Sequence, residues 1–328
     1  MKKILGIGNA LVDVMTMVPD DNCLTRFGLP KGSMTMVDAR RSGEIKQSIT
    51  SFHKTLASGG SAGNTIYGLG IMGIPTSFIG KVGYDDLGNF YEKDMIDAGV
   101  DPVLLRASES PTGTAVALVT PDRERTFATH LGAATELTAP ELKNLYFKGY
   151  HILYLEGYLI FNLPLIEQAC RLARKNNMSI ALDLASYNVV ADKLPDFRKI
   201  VDEYVDIVFA NEDEARAFTG LEPRQALDEL AEKCSIAVVK TGVNGSWIKR
   251  GDEVIRVDAL PVSPADTTGA GDLYSAGFLY GYSNGFSLDQ CGIFASILAG
   301  KVIEVVGARM PEEKWLEAKE MIRLVAED

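Results

Sequence analysis

The densest chemistry in the chain lies in seven residues, Asp266-Thr267-Thr268-Gly269-Ala270-Gly271-Asp272. They follow an apolar run ending in Leu260-Pro261-Val262 and precede a helix-like segment, Leu273-Tyr274-Ser275-Ala276-Gly277-Phe278-Leu279. The opening N–H groups of a helix lack partners inside it, and the helix dipole favours negative charge there. Gly269, Ala270 and Gly271 carry almost no side chain, so a phosphoryl group could approach their backbone closely. Asp272 would sit in the first helical turn beside that anion. A carboxylate there repels an inert anion but suits a hydroxyl about to attack one, by accepting its proton. The plainer alternative is a glycine loop whose aspartate caps a helix.

Other stretches hold polar groups at predicted strand ends. Gly6-Ile7-Gly8-Asn9-Ala10-Leu11-Val12-Asp13 lacks the third glycine of a dinucleotide fingerprint and continues as a β-rich segment. Asn9 and Asp13 read as an amide and a carboxylate at the C-terminal edge of a strand, suited to vicinal sugar hydroxyls or to an Asx turn. Ser58-Gly59-Gly60-Ser61-Ala62-Gly63-Asn64-Thr65 lets backbone come close to something at a helix start, where Asn64 could bind a ligand or cap. No stretch has the Walker A spacing, and His-Arg-Asp and Asp-Phe-Gly are both absent. Asn211-Glu212-Asp213-Glu214 could complement a helix dipole or meet magnesium through water. Lys240-Thr241-Gly242-Val243-Asn244-Gly245-Ser246 is a tight turn, either a plain hairpin or a contact for nucleotide phosphates.

The elements that must position these groups follow from periodicity. Apolar runs at Ile4–Gly8, Ser77–Ile79, Ile152–Leu155, Ser179–Leu182, Ile207–Phe209 and Ala237–Lys240 predict buried strands. Leu165–Ala173, Asp213–Phe218 and Gln225–Lys233 predict helices between them. Alternation of strand and helix predicts an α/β fold, a parallel sheet with helices on both faces. The β-branched segments within residues 12–37 and 112–129, with a turn at Pro121-Asp122-Arg123-Glu124, predict a small antiparallel flap. With no low-complexity linker and no internal repeat, residues 1–328 are expected to form one domain with that flap.

Composition narrows the partners. A net charge of −11 over 328 residues disfavours a nucleic-acid surface, and an anionic substrate would need local positive charge or backbone donors. No stretch is long enough for a membrane span. Cys23, Cys170, Cys234 and Cys291 are scattered, which fits a reducing cytoplasm. His53, His130 and His151 show no ligand spacing.

Over essentially its whole length the chain resembles the PfkB, or ribokinase-like, carbohydrate kinases. The stretch Asp266–Leu279 agrees with one family signature, and Gly59–Asn64 with Gly80–Gly88 resembles the other. Ile66 and the Arg125–Ala134 segment make it more similar to adenosine kinases than to ribokinase. The resemblance implies a three-layer α/β/α fold with a mostly parallel central sheet and a small β-strand lid. It implies Asp272 as catalytic base, Gly269, Ala270 and Gly271 as the anion hole, and Arg125 steadying the transferred phosphoryl group. Asn9, Asp13, Gly60 and Asn64 would line the acceptor pocket, and Thr241, Gly242 and Gly245 the ATP-phosphate turn. Asn211 and Glu214 resemble the pair that arranges Mg2+ through water, with no direct metal ligand. His130 stands where such kinases often have asparagine. ATP and Mg2+ are the implied cofactors, and a monovalent cation, K+, is admitted. The expected reaction is ATP-dependent phosphorylation of a primary hydroxyl on a ribose-like group. The acceptor is a nucleoside such as adenosine or, as the runner-up, a free sugar such as ribose or fructose. A non-catalytic nucleotide-binding protein is a third reading, against which Asp272 argues. The lid residues Met15, Met17, Met34, Met36, Val116, Leu118 and Phe127 suit contact with a nucleoside base. They could equally pack the lid onto itself or onto a second subunit, so a monomer or a homodimer through the lid is expected.

Overall fold

The computed structural model describes residues 1–327. Fourteen strands form two sheets. They are β1 (Ile4–Ile7), β2 (Leu11–Met17), β3 (Met34–Met36), β4 (Lys54–Gly59), β5 (Thr76–Gly83), β6 (Val100–Ala107) and β7 (Gly113–Val119), then β8 (Arg125–His130), β9 (Ile152–Glu156), β10 (Ser179–Asp183), β11 (Ile207–Asn211), β12 (Ile236–Lys240), β13 (Ser246–Arg250) and β14 (Glu253–Val257). The large sheet has the order β14-β13-β12-β11-β10-β9-β1-β5-β6, parallel from β6 through β12, with an antiparallel edge at β13 and β14.

The apolar runs are buried on both faces because helices cover both. Along β9, Ile152 and Tyr154 face one core, while Leu153 and Leu155 face the other. The same alternation holds in β11, with Ile207 and Phe209 against Val208 and Ala210. The first core takes the helices Ser61–Ile71, Ala270–Asn284, Leu288–Val302 and Glu312–Glu327. The second takes Leu163–Lys175, Leu194–Tyr204, Glu212–Thr219 and Pro223–Lys233. The Ala270–Asn284 helix packs close because its small residues allow it: a Cβ on Gly277 would lie 2.5 Å from the Phe294 carbonyl oxygen.

The smaller sheet has the order β3-β8-β7-β2-β4. It corrects the expectation of an antiparallel flap built from two regions. β2 pairs with β7 in parallel, β3 pairs with β8 in parallel, and only β2–β4 and β7–β8 are antiparallel. β2 and β7 can run parallel because a long crossover, residues 18–112, separates them. β4 comes from outside both regions, as Lys54-Thr55-Leu56-Ala57-Ser58-Gly59 has little apolar alternation and takes its shape from β2. The turn at 120–124 is a hairpin between β7 and β8, closed by Thr120 N to the Glu124 carbonyl (3.0 Å), with Arg123 at φ 68°.

Register separates the two faces of this sheet. Asp13, Ala115, Thr129 and Met36 lie in one row across β2, β7, β8 and β3, and Met15, Ala117, Phe127 and Met34 in the next. Met17, Val119 and Arg125 form a third row on that same face. Val116 and Leu118 lie on the opposite face and are buried there, with Val12 and Val14, under the core. They pack the sheet and do not join the open face, contrary to their grouping with the methionines.

Candidate active site

The Ala270–Asn284 helix begins at Gly269, whose φ of 78° is a left-handed conformation that glycine adopts without penalty. Asp272 falls in its first turn, as the spacing predicts. The Ala270 N–H is taken by the Thr267 carbonyl at 3.2 Å. Among the described residues, the Gly271 and Asp272 N–H groups have no protein partner and remain available to an anion.

Two side chains of a second helix start hold the Asp272 carboxylate. Ser61 donates to Oδ1 at 2.7 Å and Asn64 Nδ2 donates to Oδ2 at 2.8 Å. Burial pushes the Asp272 carboxyl up to about 6, with the Asn64 and Ser61 hydrogen bonds pulling the other way. Gly60, at φ 86°, caps that helix, and Asn64 is buried. The glycine is required there because a Cβ would lie 2.0 Å from the Asn9 carbonyl oxygen.

Asn9 and Asp13 are not neighbours at one strand end, as their reading implied. Asn9 follows β1, and its backbone N–H and Nδ2 both donate to Glu156 Oε1, at 3.0 and 2.5 Å. Asp13 stands within β2 of the smaller sheet, over Gly59, where an added Cβ would lie 2.5 Å from Asp13 Oδ1. Burial raises its carboxyl to about 6, and the Arg309 guanidinium opposes that rise.

A cavity of about 480 Å3 joins Asp272 to the C-terminal ends of β10, β11 and β12. Asp272, Gly269, Ala270 and Gly271 line one end, and Asn211, Glu214, Gly242 and Gly245 another. Ala259, Leu260, Ala299 and Ile303 add an apolar wall. Thr241 is buried beneath the turn, with its hydroxyl donating to the Gly245 carbonyl at 2.9 Å. Asn211 and Glu214 form a reciprocal cap: Glu214 N donates to Asn211 Oδ1 at 2.8 Å, and Asn211 N and Nδ2 donate to the Glu214 carboxylate at 2.8 and 2.7 Å. Burial raises Glu214 to about 7, and Lys240 opposes that rise.

Lys240 is the one basic side chain lining the cavity among the described residues. It donates to Asp183 Oδ2 at 2.9 Å and lies 3.3 Å from where a Cβ of Gly271 would be. Arg125 reaches from β8 to the glycine loop, where it pairs with Asp266 and donates to Thr268 Oγ1 at 3.0 Å. His130, by contrast, leaves its Nδ1 buried without a partner, and its strand position puts it on the face opposite Arg125.

Ser61, Glu156, Asp183, Lys240 and Arg309 carry contacts that the sequence reading did not assign. Glu156 and Asp183 each end an apolar strand at the ligand-binding edge, a signal that could have singled them out. Arg309 had no such signal.

A sheet with helices on both faces, a glycine-cradled helix start and a carboxylate and lysine in one cavity together define a ribokinase-like phosphotransferase. Residues 32–315 match the family model described as pfkB family carbohydrate kinase. The chain belongs to that family, and it is an ATP-dependent kinase. Among similar structures, an adenosine kinase from Sinorhizobium meliloti is 35% identical, with a TM-score of 0.86 over 98% of this chain and 99% of that one. A probable sugar kinase from Rhizobium etli CFN 42 is 32% identical, with a TM-score of 0.86 over 98% of each chain. An uncharacterized sugar kinase of Archaeoglobus fulgidus is 31% identical over 244 residues, 74% of this chain and 96% of that protein.

Proposed function

We propose that this kinase transfers the γ-phosphoryl group of ATP to the primary hydroxyl of a ribose-containing nucleoside, adenosine first, with Asp272 as general base. The observation that carries the reading is the position of Asp272. It opens a helix with two unpartnered N–H groups beside it, in the cavity that also holds Lys240. A phosphoryl-transfer transition state is loose, so alignment and charge stabilisation count for more than base strength. A carboxylate of pKa about 6 is ionised at neutral pH and suffices to take the hydroxyl proton.

The other roles are those the family resemblance implies. The glycine loop Gly269, Ala270 and Gly271 forms the anion hole, its free donors being the Gly271 and Asp272 N–H groups, and Arg125 meets the transferred group from the smaller sheet, which acts as a lid. Asn9, Asp13, Gly60 and Asn64 form the acceptor site. Thr241, Gly242 and Gly245 hold the ATP phosphates. The hard oxygens of Asn211 and Glu214 suit Mg2+, and since the helix cap already uses them, they would meet the ion through its waters. When bound, that ion neutralises phosphate charge.

The choice of a nucleoside rests on the open face of the smaller sheet. Asp13 shares that face with Met15, Phe127, Met34 and Met36, and Met34 and Met36 are 57% and 52% exposed. A nucleoside base needs such an apolar slot beside the ribose, whereas a free sugar needs a polar partner for each buried hydroxyl. Likeness to the Sinorhizobium meliloti adenosine kinase supports the same choice. The test is ATP consumption across a panel of nucleosides and sugars. Adenosine should give a higher kcat/KM than ribose, fructose or other hexoses. Good turnover of a free sugar with none of any nucleoside overturns the acceptor and leaves the kinase.

A further inference from the structure

Arg309 lies in the connection between the Leu288–Val302 and Glu312–Glu327 helices. Its Nη1 donates to Asn64 Oδ1 at 2.8 Å, and its Nη2 donates to the Ser58 carbonyl and to Ser58 Oγ, the latter at 2.8 Å. The guanidinium carbon lies 3.7 Å from the centre of the Tyr67 ring. Ser58 Oγ is itself held, donating to Asp94 Oδ2 at 2.7 Å. The loop carrying Arg309 is tied down as well, because Gly307 N donates to Asp266 Oδ2 at 2.6 Å.

A primary amide has two ends of nearly equal size, one an acceptor and one a donor. Shape alone does not decide which end of Asn64 faces Asp272. Arg309 has donors and no acceptor, so it accommodates only Oδ1. The donor end is then left for Asp272 Oδ2, at 2.8 Å. The opposite orientation would set oxygen against carboxylate and amide N–H against guanidinium, two repulsive contacts at once.

We propose that Arg309 is a positioning residue: it sets the orientation of the Asn64 amide and so keeps a hydrogen-bond donor on the Asp272 carboxylate. This rests on the reading of Asp272 as the base. Besides Ser61 and Asn64, the groups that face Asp272 are Asp13 from β2, Tyr154 and Glu156 from β9, Tyr158 just after it, Asp183 from β10 and Lys240 from β12. All of these remain in an Arg309 variant. Arg309 also bears directly on Asp13, so its charge must be separated from its effect on Asn64.

The experiment is the pH profile of kcat for wild type, Arg309→Met, Asn64→Ala and the double variant, with thermal midpoints measured in parallel. Loss of a donor to the ionised base raises its pKa, so the acid limb of R309M should move up by roughly one pH unit. In the N64A background the same substitution should move the limb no further. An unmoved limb in R309M, or equal shifts in both backgrounds, overturns the proposal, since direct charge or general packing would then be the cause. If R309M does not fold, Arg309→Lys replaces it. R309K keeps the charge and loses the fork, and its limb should move in the same direction by less. Asp272→Asn separates this proposal from the reading beneath it. Near-normal turnover in D272N removes the base and this proposal together. A collapse of D272N turnover with an unmoved R309M limb removes this proposal alone.

Discussion

Asp272 is tuned by opposing forces on a single carboxyl. Burial raises it to about 6, while two donors keep it from rising further. With Asp272 in its proposed role as base, turnover should fall as pH drops through about 6. D272N should keep the fold and nucleotide binding while losing roughly two to four orders of magnitude in kcat. Stability should run the other way. Asp13 and Asp272 sit near 6, and Glu156 and Glu214 near 7, all above their unfolded values. Through these four groups the folded chain binds more protons than the unfolded one between about pH 4 and 7, which stabilises it as pH falls through that window, while His130, held below its ordinary value by burial, opposes them. Carboxyls held low, such as Asp85 and Glu304, act below about pH 5. The thermal midpoint should rise from pH 8 to about 5.5, and a flat or falling profile contradicts this account. At pH 7.5 D272N should melt above wild type, since Ser61 can turn its hydroxyl to accept from the new amide while Asn64 still donates. Asp13→Ala should raise the acceptor KM far more than the ATP KM, because a buried hydroxyl loses its acceptor. Equal losses for both substrates would make Asp13 structural.

Among the elements, the Ala270–Asn284 helix depends most on its first residues. Gly269 is left-handed, and a Cβ there would lie 2.7 Å from Ala308 Cβ. Gly269→Ala thus meets two obstacles, a φ that costs about 1–2 kcal/mol and a collision with the loop that carries Arg309. It should lower stability in urea by about 2 kcal/mol or more and cut kcat beyond what the stability loss explains. Normal kcat in a merely destabilised G269A would show that the helix start can shift without disturbing Asp272. The Asn211 and Glu214 cap makes a related point: both groups hold a helix and also face the cavity, so a sequence pattern explained by capping does not exclude chemistry.

At the scale of the whole molecule, Arg125 ties the smaller sheet to the loop that opens the Ala270–Asn284 helix. Its partner Asp266 is buried, with a side chain 2% exposed, and also accepts from Thr268 N at 2.9 Å and Gly307 N at 2.6 Å. Removing one member of a buried ion pair costs about 3–5 kcal/mol, and two remaining backbone donors put Asp266 at the low end. Arg125→Met should therefore cost about 3 kcal/mol in denaturant unfolding and lower kcat more than it raises the ATP KM. A loss within experimental error would show that this ion pair contributes little to stability. No helix among the described residues is long and apolar enough to cross a membrane.

The strands of the large sheet were legible in the sequence because a parallel sheet covered on both faces needs unbroken apolar runs, such as Ile152–Leu155. The start of the Ala270–Asn284 helix was legible too, since glycine takes the left-handed residue before it without penalty. β4 was not, because Lys54-Thr55-Leu56-Ala57 acquires strand geometry only by pairing with β2. Nor could composition tell that Met34 and Met36 are exposed while Val116 and Leu118 are buried, since that depends on which face the register turns inward. Contacts between distant residues were the least legible. Asn64, Asp272 and Arg309 meet only because three helix ends converge, and nothing local to Arg309 records that it will face an amide rather than water. Backbone conformation and burial leave marks on neighbouring residues in the chain, whereas the orientation of one side chain by another is decided by tertiary packing.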